Sequence, residues 1–110
     1  MPIINLDQPG AEEKWNAYKE MHPVAVECCF AEYTPQVERL LQDIRHSGVR
    51  IWINSLWASL CAGHDDDVAV EENKPDETWG WILERGATLI QTDRPAALID
   101  YLKSKGRRIP

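Results

Sequence analysis

Short apolar segments and helical segments alternate four times along the chain, and this alternation restricts the fold more than any other feature. The apolar segments begin near residues 3, 24, 49 and 87. The clearest helical segment carries apolar side chains at i, i+3, i+4 and i+7, namely Val37, Leu40, Leu41 and Ile44. Helices between strands predict parallel pairing with right-handed crossovers. The sequence therefore predicts an α/β fold of four β-α units, in one domain over residues 1–110.

The length of the chain limits how these units can close. A (β/α)8 barrel typically needs roughly 250 residues, and this chain has 110. Four units are therefore half of such a barrel, with an open four-stranded sheet as the competing architecture. The third unit is the longest, and its extra residues follow the third strand. Because loops at the carboxyl ends of parallel strands carry the ligand site in such folds, we expect functional residues there.

Charge and composition exclude several classes of partner. The net charge is −6 and the isoelectric point is near 5.0, which argues against nucleic acid and anionic membranes as partners. No apolar run approaches the roughly 20 residues that span a bilayer. The first ten residues lack the basic and apolar regions of a secretory signal. The compartment stays unassigned, with the cytoplasm favoured.

The cysteine pattern predicts neither a disulfide framework nor a zinc site. The three cysteines, Cys28, Cys29 and Cys61, form no Cys-x-x-Cys spacing. We expect buried free thiols in a reducing compartment, with one bridge plus a spare thiol as the alternative.

Several segments together resemble the C-terminal half of the glycerophosphodiester phosphodiesterase family. They are residues 49–57, 63–67, 79–81, 86–95 and 98–102. The most specific piece is the Thr-Asp-x-Pro turn, formed here by Thr92, Asp93, Arg94 and Pro95. Upstream, residues 2–7 and 23–27 are similar to the fifth and sixth strands of that family.

This resemblance implies a fold, a reaction and a cofactor. The family fold is a (β/α)8 barrel whose enzymes are phosphoric diester hydrolases of lipid metabolism. They release glycerol 3-phosphate and an alcohol from glycerophosphodiesters, with Ca²⁺ or Mg²⁺, carboxylate ligands and two histidines as acid and base. A metal neutralises charge that develops on the phosphodiester, and a histidine protonates the leaving oxygen.

The chain lacks the motifs that carry this chemistry. The family's first histidine lies in His-Arg-Gly and two metal ligands lie in Glu-x-Asp, and neither motif occurs here. We therefore assign no catalytic residue and no metal ligand to this chain. We expect it to bind no cofactor and to be inactive alone, and whether it is an enzyme stays open.

The resemblance does assign substrate-binding positions. Trp52 and Asn54 match the aromatic residue and the asparagine of the family's seventh strand, although the usual spacing there is Trp-x-x-Asn. Being two apart in a strand, they share one face. Trp57 follows in the same stretch. Glu27 lies in the middle of the second strand, where we expect a role inside the barrel, toward the substrate or in an ion pair.

Other residues are predicted to be structural. Asp93 is expected to cap the helix that begins at Arg94 and Pro95, within the turn that contains Thr92. The run from His64 to Asp67 does not match a calcium-binding EF-hand loop, so we expect a solvated acidic loop, with Ca²⁺ binding as the alternative.

The two aromatic residues of the fourth helical segment are predicted to differ. Trp79 is expected to face the sheet. Trp81 lies off the buried stripe and is expected to be an exposed interface residue.

A half-barrel has a bare concave face and two unpaired sheet edges, which favour association. We expect a homodimer of four plus four strands, or pairing with a missing N-terminal half. Three classes stay open: a phosphodiesterase fragment, a non-enzymatic self-associating binding module, and an enzyme whose site lies at a homodimer mouth.

Overall fold

A computed structural model of the chain describes residues 2–106, in which four strands alternate with helices. The strands are β1 (Ile3–Asn5), β2 (Ala25–Cys29), β3 (Arg50–Asn54) and β4 (Ala87–Gln91). The helices are α1 (Ala11–Glu20), α2 (Pro35–His46), α3 (Asp66–Glu71), α4 (Trp81–Glu84) and α5 (Pro95–Ser104). The predicted α/β class and the four β-α units are confirmed.

The four strands form one sheet in the order β1-β2-β3-β4, and every neighbouring pair is parallel. Each strand therefore pairs with the strand before it in the sequence. The register aligns four residues in one row across the sheet. Ile3 pairs with Glu27, Glu27 with Trp52, and Trp52 with Leu89.

The core lies on one face of the sheet, because alternate strand residues point to opposite sides. Ile4, Val26, Ile51 and Ile53 are buried, together with apolar residues of the helices. The helices contribute Trp15 from α1, Val37, Leu40, Leu41 and Ile44 from α2, Ala69 from α3, Ile82 from α4 and Leu98 from α5. The helices thus cover one face with a single apolar layer.

The opposite face of the sheet lies outside that core. Its residues include the row Ile3, Glu27, Trp52 and Leu89, none of which belongs to the buried cluster. Ile3 is 56% exposed. Parallel sheets are usually covered on both faces, so this face is available to a further layer.

Local sequence explains where α2 begins and ends. The hydroxyl oxygen of Thr34 accepts a hydrogen bond from the Val37 amide at 3.2 Å, and Pro35 occupies the first helical turn. Gly48 lies just beyond the helix with a φ of 86°, a left-handed conformation that glycine adopts without steric cost. The helix predicted from the spacing of Val37 to Ile44 is confirmed.

The long connection after β3 departs from the prediction. The run from His64 to Asp67 is not a solvated acidic loop, because α3 begins at Asp66 and this side chain is buried. The next helical segment begins with a π-helical turn over Asp76–Gly80 and continues as α4. Trp79 is buried as predicted.

The three cysteines are free and buried, as predicted. Burial raises the pKa of Cys29 and of Cys61 to about 12 and raises that of Cys28 further. All three are therefore neutral thiols at physiological pH. Within residues 2–106, no helix is long and apolar enough to cross a membrane.

Candidate functional site

The structure brings two of the predicted substrate-binding residues together on the uncovered face. Glu27 and Trp52 are direct partners across β2 and β3, and both are half-buried. One carboxylate oxygen of Glu27 accepts a hydrogen bond from the Cys29 thiol at 3.5 Å. This face therefore combines an aromatic ring with an acidic group.

The indole N–H of Trp52 has no hydrogen-bond partner within residues 2–106, although its nitrogen is buried. A buried donor without an acceptor typically costs about 1–3 kcal/mol. Because this nitrogen is shielded from solvent, an acceptor could reach it only if the neighbouring groups moved aside.

The other two predicted substrate-binding residues lie at the carboxyl end of β3. Asn54 is only 7% exposed, and its side-chain oxygen accepts a hydrogen bond from the Leu56 amide at 2.9 Å. That bond stabilises the turn after the strand and occupies the side-chain oxygen of Asn54. The side-chain NH2 group of Asn54 is then the group that can donate to a ligand. Trp57 is 66% exposed in the loop beyond.

A buried carboxylate organises the same end of the sheet. Asp66 is 1% exposed, and its two oxygens accept hydrogen bonds from four donors on three separate segments. The donors are the Ser55 hydroxyl at 2.6 Å, the Trp79 indole at 3.0 Å, the Thr92 hydroxyl at 2.8 Å and the Asp93 amide at 3.0 Å. The Asp66 amide also donates to the Ser55 carbonyl at 2.8 Å. We call these five residues the Asp66 network.

The Asp66 network holds its carboxylate in the ionised form. Burial by itself would raise the pKa of Asp66, but the hydrogen bonds from Ser55, Thr92, Trp79 and Asp93 outweigh it and hold the pKa below its usual value. The neighbouring Asp93 carboxyl has a raised pKa because of its hydrogen bond to Asp66 and the charge there.

The Thr-Asp-x-Pro turn works differently from the prediction. The Asp93 side chain does not cap α5. The cap position of that helix is Arg94, and its side chain makes no capping hydrogen bond. Asp93 contributes its backbone amide to Asp66 instead. The Thr92 hydroxyl accepts a hydrogen bond from the Arg94 amide at 2.9 Å, and Pro95 occupies the first turn of the helix.

An aromatic cluster forms where the connection after β3 meets the start of α4. The His64 and Trp81 rings stack in parallel with centroids 3.6 Å apart, and the Arg85 guanidinium lies 4.3 Å from the Trp81 ring. Tyr33 meets the same indole edge-on, with the ring centroids 4.9 Å apart. The prediction that Trp81 is exposed is therefore wrong, because its indole is half-buried and packed against the core.

Within residues 2–106, no group of three or more acidic, histidine or cysteine side chains is arranged to hold a metal ion. The acidic run does not form such a group, because Asp65 caps α3 through the Val68 amide at 3.1 Å and Asp66 points into the interior.

Comparison with known proteins gives one family. Residues 1–102 match the family model DUF4996, whose description is "domain of unknown function". The chain belongs to this family. No curated protein matches the chain. Membership of DUF4996 covers nearly the whole chain and assigns no activity, so the resemblance to phosphodiesterases remains a prediction.

In this DUF4996 chain, the sequence indicates part of the site, Thr92 and Asp93, but not its centre. Asp66 stands in a run of acidic residues, and such a run predicts a solvated loop. The signal in the sequence is the position of Asp66 in the long segment that follows the third strand, where functional residues are expected. Nothing in the sequence marks Ser55 and Trp79 as its partners.

We expect Asp66→Ala to lower the free energy of unfolding by about 2–4 kcal/mol, because it leaves interior donors without an acceptor. Urea denaturation at pH 7 measures the change. The matched control is Asp67→Ala, which removes an adjacent carboxylate that is 74% exposed and should cost about 0.5 kcal/mol or less. Equal losses in the two variants would contradict the structural role of Asp66.

The Asp66 contribution should also depend on pH. Its folded-state pKa is lowered from 3.8, so the stabilisation is complete above that value and disappears as the pH falls through the folded pKa. The raised pKa of Asp93 acts in the opposite sense, since its charge opposes folding until it is protonated.

We therefore expect the difference in unfolding free energy between the unsubstituted chain and Asp66→Ala to shrink as the pH falls below about 4. Urea titrations between pH 7 and pH 2 test this. The difference for Asp67→Ala should stay small throughout, and a pH-independent difference for Asp66→Ala would refute the assignment.

Proposed function

We propose that the chain forms the C-terminal half of a glycerophosphodiester phosphodiesterase-like (β/α)8 barrel. It contributes to phosphoric diester hydrolysis in glycerophospholipid metabolism only together with a half that holds the acid–base and metal-binding groups. Its own part is to bind the glycerophosphodiester, with Glu27, Trp52, Asn54 and Trp57 as the binding residues.

The order of the strands supports this proposal. In a closed parallel barrel, consecutive strands are neighbours and all helices lie outside. The strands β1 to β4 pair in sequence order, and their helices pack on one face. A doubly wound sheet would instead reverse its strand order and place helices on both faces.

The uncovered face of the sheet is the observation that carries the proposal. Its cross-sheet row of Ile3, Glu27, Trp52 and Leu89 places large apolar groups and a carboxylate where a barrel has its packed interior. The largest of these groups is the half-buried indole of Trp52.

The carboxyl end of the sheet supports the position of the substrate. Barrel enzymes place their sites at this end. Here the Asp66 network fixes the loops that follow β3 and β4, and Asn54 and Trp57 lie beside it. Trp52 would form an apolar wall against the glycerol, and the NH2 group of Asn54 would donate to a substrate oxygen.

The Ca²⁺ or Mg²⁺ of the phosphodiesterase family does not fit the residues of this chain. Residues 2–106 offer no group of metal ligands, so the proposal assigns metal binding and proton transfer to the other half of the barrel.

The proposal predicts that a chimera restores activity. The first four β-α units of an active phosphodiesterase, carrying His-Arg-Gly and Glu-x-Asp, are fused to residues 1–110. We expect Ca²⁺- or Mg²⁺-dependent release of glycerol 3-phosphate from glycerophosphocholine, and none from the isolated chain. A coupled assay for glycerol 3-phosphate measures both.

Matched variants make the chimera experiment specific. Trp52→Ala should lower kcat/KM about tenfold by removing the apolar wall. Arg39→Ala, on the outer surface of α2, should leave it unchanged. A folded monomeric chimera without turnover, or one indifferent to Trp52→Ala, would overturn the proposal.

A second candidate is a non-enzymatic half-barrel that self-associates as a binding module. The observation that favours it is the combination of an uncovered apolar row with β1 and β4, which each have only one neighbour within the described sheet. Such edges and faces promote association. A homodimer of four plus four strands would cover both.

We expect the isolated chain to run as a dimer, with twice the 12.6 kDa mass of one chain, in size-exclusion chromatography with light scattering at micromolar concentration. Leu89→Asp, on the uncovered face, should shift it toward monomer, whereas Gln42→Asp on the outside of α2 should not. A monomer at every concentration would rule out self-association. The remaining proposal would then be pairing with a separate N-terminal half of the barrel.

A further inference from the structure

Two residues with side-chain amides are paired at the carboxyl end of the uncovered face. Asn54 is the last residue of β3 and Gln91 the last of β4, and the two are direct partners across these strands. Both lie two positions beyond another pair, Trp52 and Leu89, so strand alternation directs all four side chains to the same face. Neighbouring strands are about 4.8 Å apart, so one small ligand can contact both amides.

The amide of Asn54 has a donor that the protein does not use. Asn54 is only 7% exposed, and the Leu56 amide already occupies its side-chain oxygen. Within residues 2–106 its NH2 group has no hydrogen-bond partner, and its nitrogen, unlike that of Trp52, is accessible to solvent. A buried side chain with an unused donor at the surface of the sheet is positioned to bind an acceptor on a ligand.

Gln91 adds a second amide on a fixed backbone. Its main-chain carbonyl accepts a hydrogen bond from the Ser55 amide at 2.9 Å. Ser55 directly follows Asn54 and belongs to the Asp66 network, so that network holds both amide-bearing residues in place. The Gln91 side chain is exposed and forms no hydrogen bond within residues 2–106. It can therefore donate through its NH2 group and accept through its oxygen.

The basic side chains near this pair are distant or already engaged. Within the four described strands, the basic residue is Arg50, which begins β3 four positions before Asn54. Four positions correspond to about 13 Å along a strand. Arg94, in the turn after β4, pairs with the carboxylates of Asp67 and Glu71. The pair of amides therefore lacks the cation that a phosphate group requires.

The neighbouring part of the same face is acidic. Burial, and then the negative charges of Glu27 and Asp7, raise the pKa of Cys29 on β2 to about 12. Glu27 is also the direct partner of Trp52. An anion would be repelled from this side of the face, whereas a neutral group that forms hydrogen bonds would not.

We propose that Asn54 and Gln91 form a subsite for two adjacent hydroxyl groups of a small polyol, with Gln91 as the specificity-determining residue. A hydroxyl group both donates and accepts, which matches two free NH2 groups and one free amide oxygen. Trp52 and Leu89, in the adjacent row, supply an apolar surface for the carbon chain.

This inference rests on the proposed function, in which the polyol is the glyceryl group of the phosphodiester. It assigns the glyceryl group, rather than the phosphate, to the ends of β3 and β4. It also gives a role to Gln91, a position to which the resemblance to phosphodiesterases assigns none.

Titration of the full chain with glycerophosphocholine tests the subsite, followed by ¹⁵N–¹H NMR at constant ionic strength. The side-chain NH2 groups of Asn54 and Gln91 give signals of their own, and we expect both to shift saturably. Phosphocholine, which lacks the glyceryl group, should shift neither. Shifts without saturation, or equal shifts with phosphocholine, would overturn the proposal.

Matched variants test each amide. Gln91→Met keeps the length of the side chain and removes the amide, so it should weaken binding about fivefold. Asn54→Asp keeps an oxygen for the Leu56 amide and removes the NH2 donor, so it should weaken binding about tenfold. The control Gln42→Met removes an exposed amide of α2 and should leave the affinity unchanged. An affinity indifferent to Gln91→Met in a variant with a native-like spectrum would contradict the subsite.

The chimera separates this inference from the proposed function. We expect the active chimera to prefer glycerophosphocholine about tenfold over its analogue without the terminal hydroxyl group, and Gln91→Met to remove most of that preference. An active chimera that keeps the preference in Gln91→Met would overturn the subsite and leave the proposed function intact. Saturable NH2 shifts in the isolated chain beside an inactive chimera would overturn the proposed function alone. Free glycerol that produces the same shifts would then identify a polyol site.

Discussion

The Asp66 carboxylate connects parts of the chain that the sheet alone does not hold together. Backbone pairing fixes β3 and β4 side by side but leaves the loops after them free to vary. Asp66 joins those loops through Ser55 and Thr92 and anchors the segment before α4 through Trp79. The hydrogen bonds offset the cost of burying the charge. The positions of Asn54 and of the helix after β4 both depend on this contact.

The uncovered face of the sheet poses the opposite physical problem. On the helix side, the apolar residues of the sheet are buried against the helices. On the other side, the row containing Glu27 and Trp52 has an unpaired indole N–H and a half-buried carboxylate. Neither group stabilises an isolated sheet. Glu27 and the accessible part of the Trp52 ring can both contact a further layer or a ligand on this face, so the proposals on pairing and on substrate binding rest on the same residues.

The sequence predicted the elements of the fold well where periodicity was strong. The spacing of Val37 and Ile44 located α2, and the apolar segments located the four parallel strands. Prediction failed in the connection after β3, because a run of acidic residues indicates solvent exposure and only distant partners make Asp66 a buried acceptor. It failed again at Asp93, whose amide rather than its carboxylate makes the decisive contact. Such contacts join residues 11 to 27 positions apart, and one sequence gives no sign of them.

The sequential strand order has a consequence for how such a sheet can grow. Each strand pairs only with its neighbour in the sequence, so a new β-α unit added at either edge would form fresh backbone bonds without breaking an existing pair. A doubly wound sheet lacks this property, because its first strand lies in the middle and has no free edge beside it for a unit added at the amino terminus. Gene duplication or fusion at the termini could therefore lengthen this chain one unit at a time, and the helical layer would extend with it.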